Sequence, residues 1–243
     1  MAVRADDIDG ILDAMTLEEQ VSLLSGADFW TTNGVERLGV PAIKVTDGPN
    51  GARGGGGLVG GVTAAAFPVG IALGASFDPE LVRETGRAIG EEALTKGACV
   101  LLAPTVNLHR TAVNGRNFEC HSEDPFLAAE MASAYVEGVQ STGVAATIKH
   151  FAGNESEYQR MTMSSDVDER TLRELYLLPF EVAVKRAGAR AVMSAYNRLN
   201  GTFASEHPWL LTRVLRQEWG FDGLVMSDWF GSHSTVESVE AGL

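Results

Sequence analysis

The sequence is short of cysteine, with Cys99 and Cys120 the two thiols in 243 residues. Two cysteines cannot make a disulfide framework, and their spacing to histidine fits no zinc site. Positive charge is scarce as well. Lysine and arginine total 19 against 32 aspartate and glutamate, a formal net charge of −13. That balance argues against a nucleic-acid partner, which needs a basic footprint. No apolar run is long enough to cross a bilayer, and the opening MAVRADDIDG has no apolar leader core, so no membrane partner and a cytoplasmic location are expected. A GxGxxG after the first strand candidate is missing, which speaks against a dinucleotide-binding sheet. The glycine-rich stretch 54–61 lacks the Lys-Ser/Thr ending of a phosphate loop and reads as a flexible loop near the site. No repeat or low-complexity linker divides the chain, and its length suits one large domain.

What the sequence does have is a rhythm of short apolar runs and longer amphipathic ones. AIKVTD (42–47), ACVLLAP (98–104), AATIKHF (145–151), AVMSAY (191–196) and LVMSDW (224–229) read as strands covered on both faces. Helices are expected at about 78–96, 125–140, 169–186, 208–218 and from about 234. Ser76 or Asp78 caps the first of these, with Pro79 in its first turn. An earlier helix at 16–24 opens with the capping box Thr16-Leu-Glu-Glu19. Alternating strands and helices imply βαβ units around a parallel sheet. Five such units are clear where a closed barrel needs eight, so either further strands lie outside these runs or the chain stops before the barrel closes. Cys99, inside ACVLLAP, is expected to be a buried core thiol.

Polarity collects just after these strands. AIKVT ends in Asp47, AATI in Lys149 and His150, AVMSA in Tyr196 and Asn197, and LVMS in Asp228 and Trp229. The segment after the second strand carries Asn107, His109, Arg110, Arg116 and Glu119. Hydrogen-bonding groups at the same end of five successive strands mark the active face of an α/β barrel. The residue types suit a sugar: carboxylates accept hydroxyl hydrogens, lysine and arginine donate to hydroxyls, and a tryptophan face packs on C–H groups. A carboxylate that attacks an anomeric carbon must be ionised, so Lys149, Arg116 and His150 are expected to lower its pKa.

Six segments carry a more specific signal: TDGPNGAR (46–53), FPVGIALGASFD (67–78), LLAPTVNLHRTAVNGRNFECHSEDP (101–125), KHFAGNESEYQR (149–160), MSAYNRLNG (193–201) and GFDGLVMSDWFG (220–231). With these the chain resembles glycoside hydrolase family 3. KHFAGNESE matches its β-glucosidase-like branch rather than the KHFPGHG of the β-N-acetylglucosaminidases. The resemblance implies an α/β, (β/α)8 TIM-barrel-like domain, incomplete at the C-terminus, over residues 1–243. It also implies a following α/β sandwich domain, absent here, that carries the acid/base glutamate. The implied activity is a retaining exo-β-glycosidase that releases terminal non-reducing β-D-glucose through a covalent glycosyl-enzyme. Asp228 falls on the nucleophile. Asp47, Arg116, Lys149, His150, Met193 and Tyr196 fall on positions lining the glycone subsite, with Trp229 beside the nucleophile and Arg53 at the edge. Glu119 is expected to hold Arg116, and Arg110 is a weaker candidate. The partner implied is a β-glucoside or oligosaccharide, with neither cofactor nor metal; oligomeric state is not legible.

Other readings stay open at this stage. The same scaffold serves β-xylosidases. Lys149 at a strand end is compatible with a Schiff-base aldolase, although that chemistry needs a lowered lysine pKa. The 243 residues alone are also compatible with an inactive sugar-binding fragment. His109 and His121 read as loop histidines, Met161 and Met163 as gap-filling side chains rather than cofactor contacts, and Phe67-Pro68 as a turn.

Overall fold

The computed structural model describes residues 7–57 and 60–243. Residues 58 and 59 of the glycine-rich loop and the first six residues, on which the absence of a leader was read, lie outside the described residues. Among the described residues the strands are β1 (Val45–Asp47), β2 (Val100–Leu102), β3 (Ala145–Phe151), β4 (Ser164–Ser165), β5 (Ala191–Ser194), β6 (Arg198–Leu199), β7 (Thr202–Phe203) and β8 (Leu224–Ser227). Five of them form one all-parallel sheet in the order β1-β2-β3-β5-β8. Each neighbour is the next large strand along the chain, which is how the wall of a (β/α) barrel is laid down.

The sheet curls. Val45 of β1, Leu102 of β2, Met193 of β5 and Met226 of β8 line a single cavity of about 290 Å³, so the first and fifth strands face one another across the concave side. Helices cover the convex side. The helices Pro79–Thr95 and Pro125–Gln140 pack on each other with Val82, Ile89, Met131, Tyr135 and Val136 buried between them and the sheet. Further along, Phe151 meets Phe180 edge-on at 5.1 Å and Trp219 at 5.7 Å. Side chains of that size each contribute roughly 1.5–3 kcal/mol when fully buried.

These helices also hold the rim. Glu92 of the helix Pro79–Thr95 accepts from Ala52 N at 2.8 Å and Ala65 N at 2.6 Å, gripping both limbs of the glycine-rich loop. Buried Tyr135 donates its hydroxyl to Pro49 O, just past β1. Phe67 N bonds Asn50 O and Asn50 bonds Pro68 O, so the Phe67-Pro68 turn closes against the same loop.

Most expected elements are present; four of the five strands are shorter than expected, because their ends leave the ladder to form the rim, while β3 spans its whole expected run. Asp78 caps the helix Pro79–Thr95 through Glu80 N and Leu81 N, and the Thr16–Glu19 capping box is formed. The 169–186 helix is not continuous. It is a short turn Glu169–Thr171, a π-helical turn Leu172–Tyr176 and the helix Leu178–Lys185. Pro179 explains the break: it has no N–H to donate and its ring crowds the carbonyl four residues back, so the preceding turn widens. Trp209–Glu218 is π-helical, and the last helix is Val236–Ala241. Cys99 is exposed rather than buried, because it precedes β2 at the amino-terminal edge of the sheet, where its neighbours Ala98 and Val100 take the interior positions. The small sheet β4-β6-β7 was not anticipated. Its hairpin turns on Asn200-Gly201, both with positive φ, the commonest dipeptide for a two-residue β-turn.

The closest approach between the two long helices is at glycine. A Cβ on Gly138 would stand 2.1 Å from Arg83 O, and one on Gly86 2.5 Å from Tyr135 O, both backbone atoms of the facing helix. Gly138→Ala is therefore expected to destabilise the fold by about 1–3 kcal/mol through overpacking, despite alanine's better helix propensity. Urea unfolding checks this; an unchanged or raised midpoint would contradict it.

Candidate active site

The polar groups at the carboxyl ends of the five parallel strands meet in one pocket of about 460 Å³. Its lining includes Asp47, Arg53, Arg116, Lys149, His150, Tyr196, Asp228 and Trp229. Of the nine residues that the family resemblance assigns to the site, Met193 is the one placed elsewhere. It is 2% exposed and belongs to the small apolar cavity beneath, whose lining also includes Asp228 and Trp229. Arg110 lies away from the pocket, in a separate cavity that Gly153 and Glu155 also line.

Strand ends alone do not aim these side chains. Consecutive residues in a regular strand point to opposite faces, yet Lys149 and His150 both reach the pocket. They do so because β3 shifts register against β5: Lys149 pairs with Met193 but Phe151 pairs with Ser194, leaving His150 outside the ladder. Arg116 is delivered by a loop pinned by His109, whose Nε2 lies 2.8 Å from Asn117 O and 2.9 Å from Cys120 O. That histidine is thus satisfied within its loop. Among the described residues no cluster of His, Cys, Asp and Glu is arranged to hold a metal.

The charges are paired in a definite pattern. Lys149 Nζ donates to Asp47 Oδ1 at 2.7 Å, and Arg53 Nη2 to Asp47 Oδ2 at 2.6 Å. Arg116 makes a two-pronged pair with Glu119, Nε to Oε1 at 3.0 Å and Nη2 to Oε2 at 2.8 Å, while Thr105 also donates to Glu119. Glu119 therefore holds Arg116, as expected. Asp228 is bound differently. Tyr196 OH (2.9 Å) and its neighbour's backbone N–H, that of Trp229 (2.8 Å), both donate to Oδ1. Oδ2 faces His150 Nε2 at 3.5 Å. Since Arg116 Nη1 lies 3.2 Å from that same nitrogen and can only donate, Nε2 is the unprotonated acceptor.

Burial pushes Asp47 up, but Lys149, with Arg53 and Arg116 behind it, more than offsets this and holds the carboxyl below its ordinary range. Glu119 is likewise pushed up by burial and brought below its ordinary range chiefly by Arg116. Asp228 departs from the sequence expectation. Burial raises it above the ordinary carboxylate value, with Lys149, the Tyr196 and Trp229 hydrogen bonds and Arg116 acting in the opposite direction without cancelling it. His150 is held well below its usual value by burial and then by Arg116 and Lys149, so it is neutral and lends no cationic field. The expected lowering fails because desolvation at the foot of the pocket exceeds the pull of cations already committed to other carboxylates.

Sequence reasoning missed three lining residues: Arg160, Met161 and Phe230. Arg160 lies 4.5 Å over the Tyr196 ring and pairs with Glu157 at 2.6 Å. Its signal was its place at the end of the KHFAGNESEYQR segment. Met161, read as packing, lines the pocket mouth. Trp229 is fixed from an unexpected direction: its indole N–H donates to Phe29 O, and Trp30 meets its ring edge-on at 5.2 Å.

The Asp47–Lys149 pair has a signed pH consequence. Asp47 titrates below its unfolded value, so its charge adds stability above that value, and the gain is lost as pH falls through the folded pKa. In Lys149→Met the main offset to burial is gone, the Asp47 pKa rises, and its charge costs stability at neutral pH. A loss of about 3 kcal/mol at about pH 7 is expected, shrinking toward about pH 4, where protonated Asp47 needs no cation. Urea titrations across that range check the sign; a deficit that does not change with pH would refute it.

A pocket of this make-up, on a curled parallel sheet, has counterparts among known proteins. A β-glucosidase of Rhizobium radiobacter is 75% identical over 97% of this chain, and the chain spans 29% of that relative's length. A β-glucosidase of Kluyveromyces marxianus, solved with glucose, superposes with a TM-score of 0.95 at 46% identity over 98% of this chain and 28% of that one. β-Glucosidase 3B of Thermotoga neapolitana, also solved with glucose, gives 0.92 at 46% identity over 97% of this chain and 36% of that one. Residues 3–241 match the glycosyl hydrolase family 3 N-terminal domain along nearly their whole length, and to that family this chain belongs.

Proposed function

We propose that this chain carries the nucleophile half of a retaining β-glucosidase that releases terminal β-D-glucose from β-glucosides. The observation that carries the reading is Asp228. It is 4% exposed, and both firm hydrogen bonds fall on Oδ1. Oδ2 is thereby left as the oxygen free to attack an anomeric carbon, forming a glycosyl ester that water then opens with a second inversion. Two donors on Oδ1 fix the carboxylate plane before the sugar arrives, which is the positioning such an attack needs. Lys149, Arg116, Arg160 and the Asp47 and Glu119 carboxylates surround it with donors and acceptors for hydroxyls. Trp229 offers a face for the apolar side of the ring.

The leaving group needs a proton donor, which is an acid with a raised pKa. Asp47 and Glu119 share the pocket but are held low by cations, so neither suits the task. Glu155 is pushed up to about 7 by burial, yet it lines a separate cavity rather than the pocket. We therefore place the acid outside these residues, on a following α/β sandwich domain. The curated relatives support this, because the chain spans only about 29% of their length. A Schiff-base reading of Lys149 is disfavoured, since its partner is a carboxylate rather than a second cation. Relatives solved with glucose support this substrate class, and a net charge of −13 is compatible with a neutral sugar. Two free thiols fit a reducing, cytoplasmic setting. Among the described residues no helix is long and apolar enough to cross a membrane.

In the full-length polypeptide, Asp228→Ala should lower turnover of an aryl β-glucoside on the order of 10⁴-fold or more. A 2-deoxy-2-fluoro-glucoside should leave its label on the peptide containing Asp228, and a label elsewhere would overturn the assignment. Residues 1–243 expressed alone should hydrolyse the same substrate about 10²–10⁴-fold more slowly than the full chain, for want of the acid. Equal rates would show that the donor lies within them.

A further inference from the structure

The register shift that turns Lys149 and His150 into one pocket leaves the His150 peptide groups without ladder partners. Buried backbone donors and acceptors must be satisfied somewhere. A single side chain takes both: Asn107 Oδ1 accepts from His150 N at 2.8 Å, and Asn107 Nδ2 donates to His150 O at 3.1 Å. The second hydrogen of that amide goes to Glu155 Oε1 at 3.2 Å, an oxygen that also accepts from Leu108 N. Asn107, His150 and Glu155 are 2%, 2% and 6% exposed, so water does not compete for these bonds. The carboxylate gives the clamp its direction. An Asn107 amide turned over would set its NH2 against the His150 N–H and its oxygen against both the His150 carbonyl and Glu155. Neither Asn107 nor Glu155 borders the pocket that holds Asp228.

We infer that Asn107 and Glu155 form a positioning pair that locks the β3 bulge and so sets where Lys149 Nζ and His150 Nε2 meet the sugar. The inference rests on the reading of Lys149 and His150 as sugar-holding residues. Burial pushes Glu155 up to about 7, so glutamine in its place keeps the acceptor oxygen and resembles a form the side chain already visits.

The test uses the full-length polypeptide, glucose binding by calorimetry on folded protein, and the split between KM and kcat on an aryl β-glucoside. Asn107→Asp keeps the acceptor for His150 N–H but loses both donated bonds and sets two carboxylates together. It should weaken glucose binding and raise KM by about tenfold or more, the scale of losing hydrogen bonds to a charged group. Glu155→Leu should do the same, and Glu155→Gln should cost clearly less. Asn107→Asp combined with Glu155→Gln should recover part of the loss of Asn107→Asp, a coupling that a general loss of stability does not produce. Folded Asn107→Asp or Glu155→Leu protein that binds glucose within about twofold of the parent, or a double variant no better than Asn107→Asp, overturns the inference. Failure of every variant lacking the clamp to fold assigns the pair to the fold and overturns it as well. The two readings separate cleanly. If Lys149→Met leaves glucose affinity intact, the sugar-holding role itself falls; if it abolishes affinity while the Asn107 variants do not, only the positioning role falls.

Discussion

A buried ion pair joins the first strand to the third. Lys149 and Asp47 are 102 residues apart in sequence and 2.7 Å apart at the floor of the pocket, 3% and 9% exposed at their side chains. A lone charge in that position costs several kcal/mol, so Lys149 and Asp47 offset each other's burial, with Arg53 sharing the work at Asp47. Around this pair the other rim charges are matched in turn: Arg53 to Asp47, Arg116 to Glu119, Arg160 to Glu157. The matching sets the functional asymmetry. Among the described carboxylates lining the pocket, Asp228 alone has no arginine or lysine of its own, and its neighbours are a phenol, a backbone N–H and a neutral imidazole. Its charge is the one left poorly compensated, hence the raised pKa and the reactivity proposed for it.

Geometry of that quality comes from backbone irregularity supported by helices. The β3 bulge gives two consecutive side chains to one face, and Asn107 absorbs the bonds the bulge leaves open. Behind the rim, Glu92 and Tyr135 reach from the outer helices to the loop after β1. The helix layer is thus more than a hydrophobic cover. It fixes the loops whose side chains meet in the pocket.

Much of this was legible beforehand, for reasons that can be named. AATIKHF is apolar and β-branched enough to read as a buried strand, and it is β3 residue for residue. Asp47, Lys149, His150, Tyr196 and Asp228 stood out because polar groups directly after buried strands are chemically conspicuous, and all five line the pocket. What sequence could not give was the balance of opposing large terms. Proximity to cations suggested a lowered Asp228 pKa, but those cations proved to be spent on Asp47 and Glu119, a matter of three-dimensional pairing. Cys99 misled because an apolar run does not say where the helix cover begins. Arg160 was missed because no strand precedes it, and the 169–186 helix was drawn straight through Pro179 on periodicity alone.

Trp229 has a consequence in time. Its indole is tied to Phe29 and Trp30, two hundred residues earlier. At synthesis rates of about 5–20 residues per second, Phe29 is made roughly 10–40 seconds before its partner. During that interval Trp30 has only early partners, Val45 and Gly56 among them, and the aromatic side chains still uncovered are a liability to aggregation. A contact of this sequence separation also bears a large loop-closure cost. The pocket's aromatic wall is therefore among the last parts of this chain that can assemble, and the chain must stay soluble long enough to reach it.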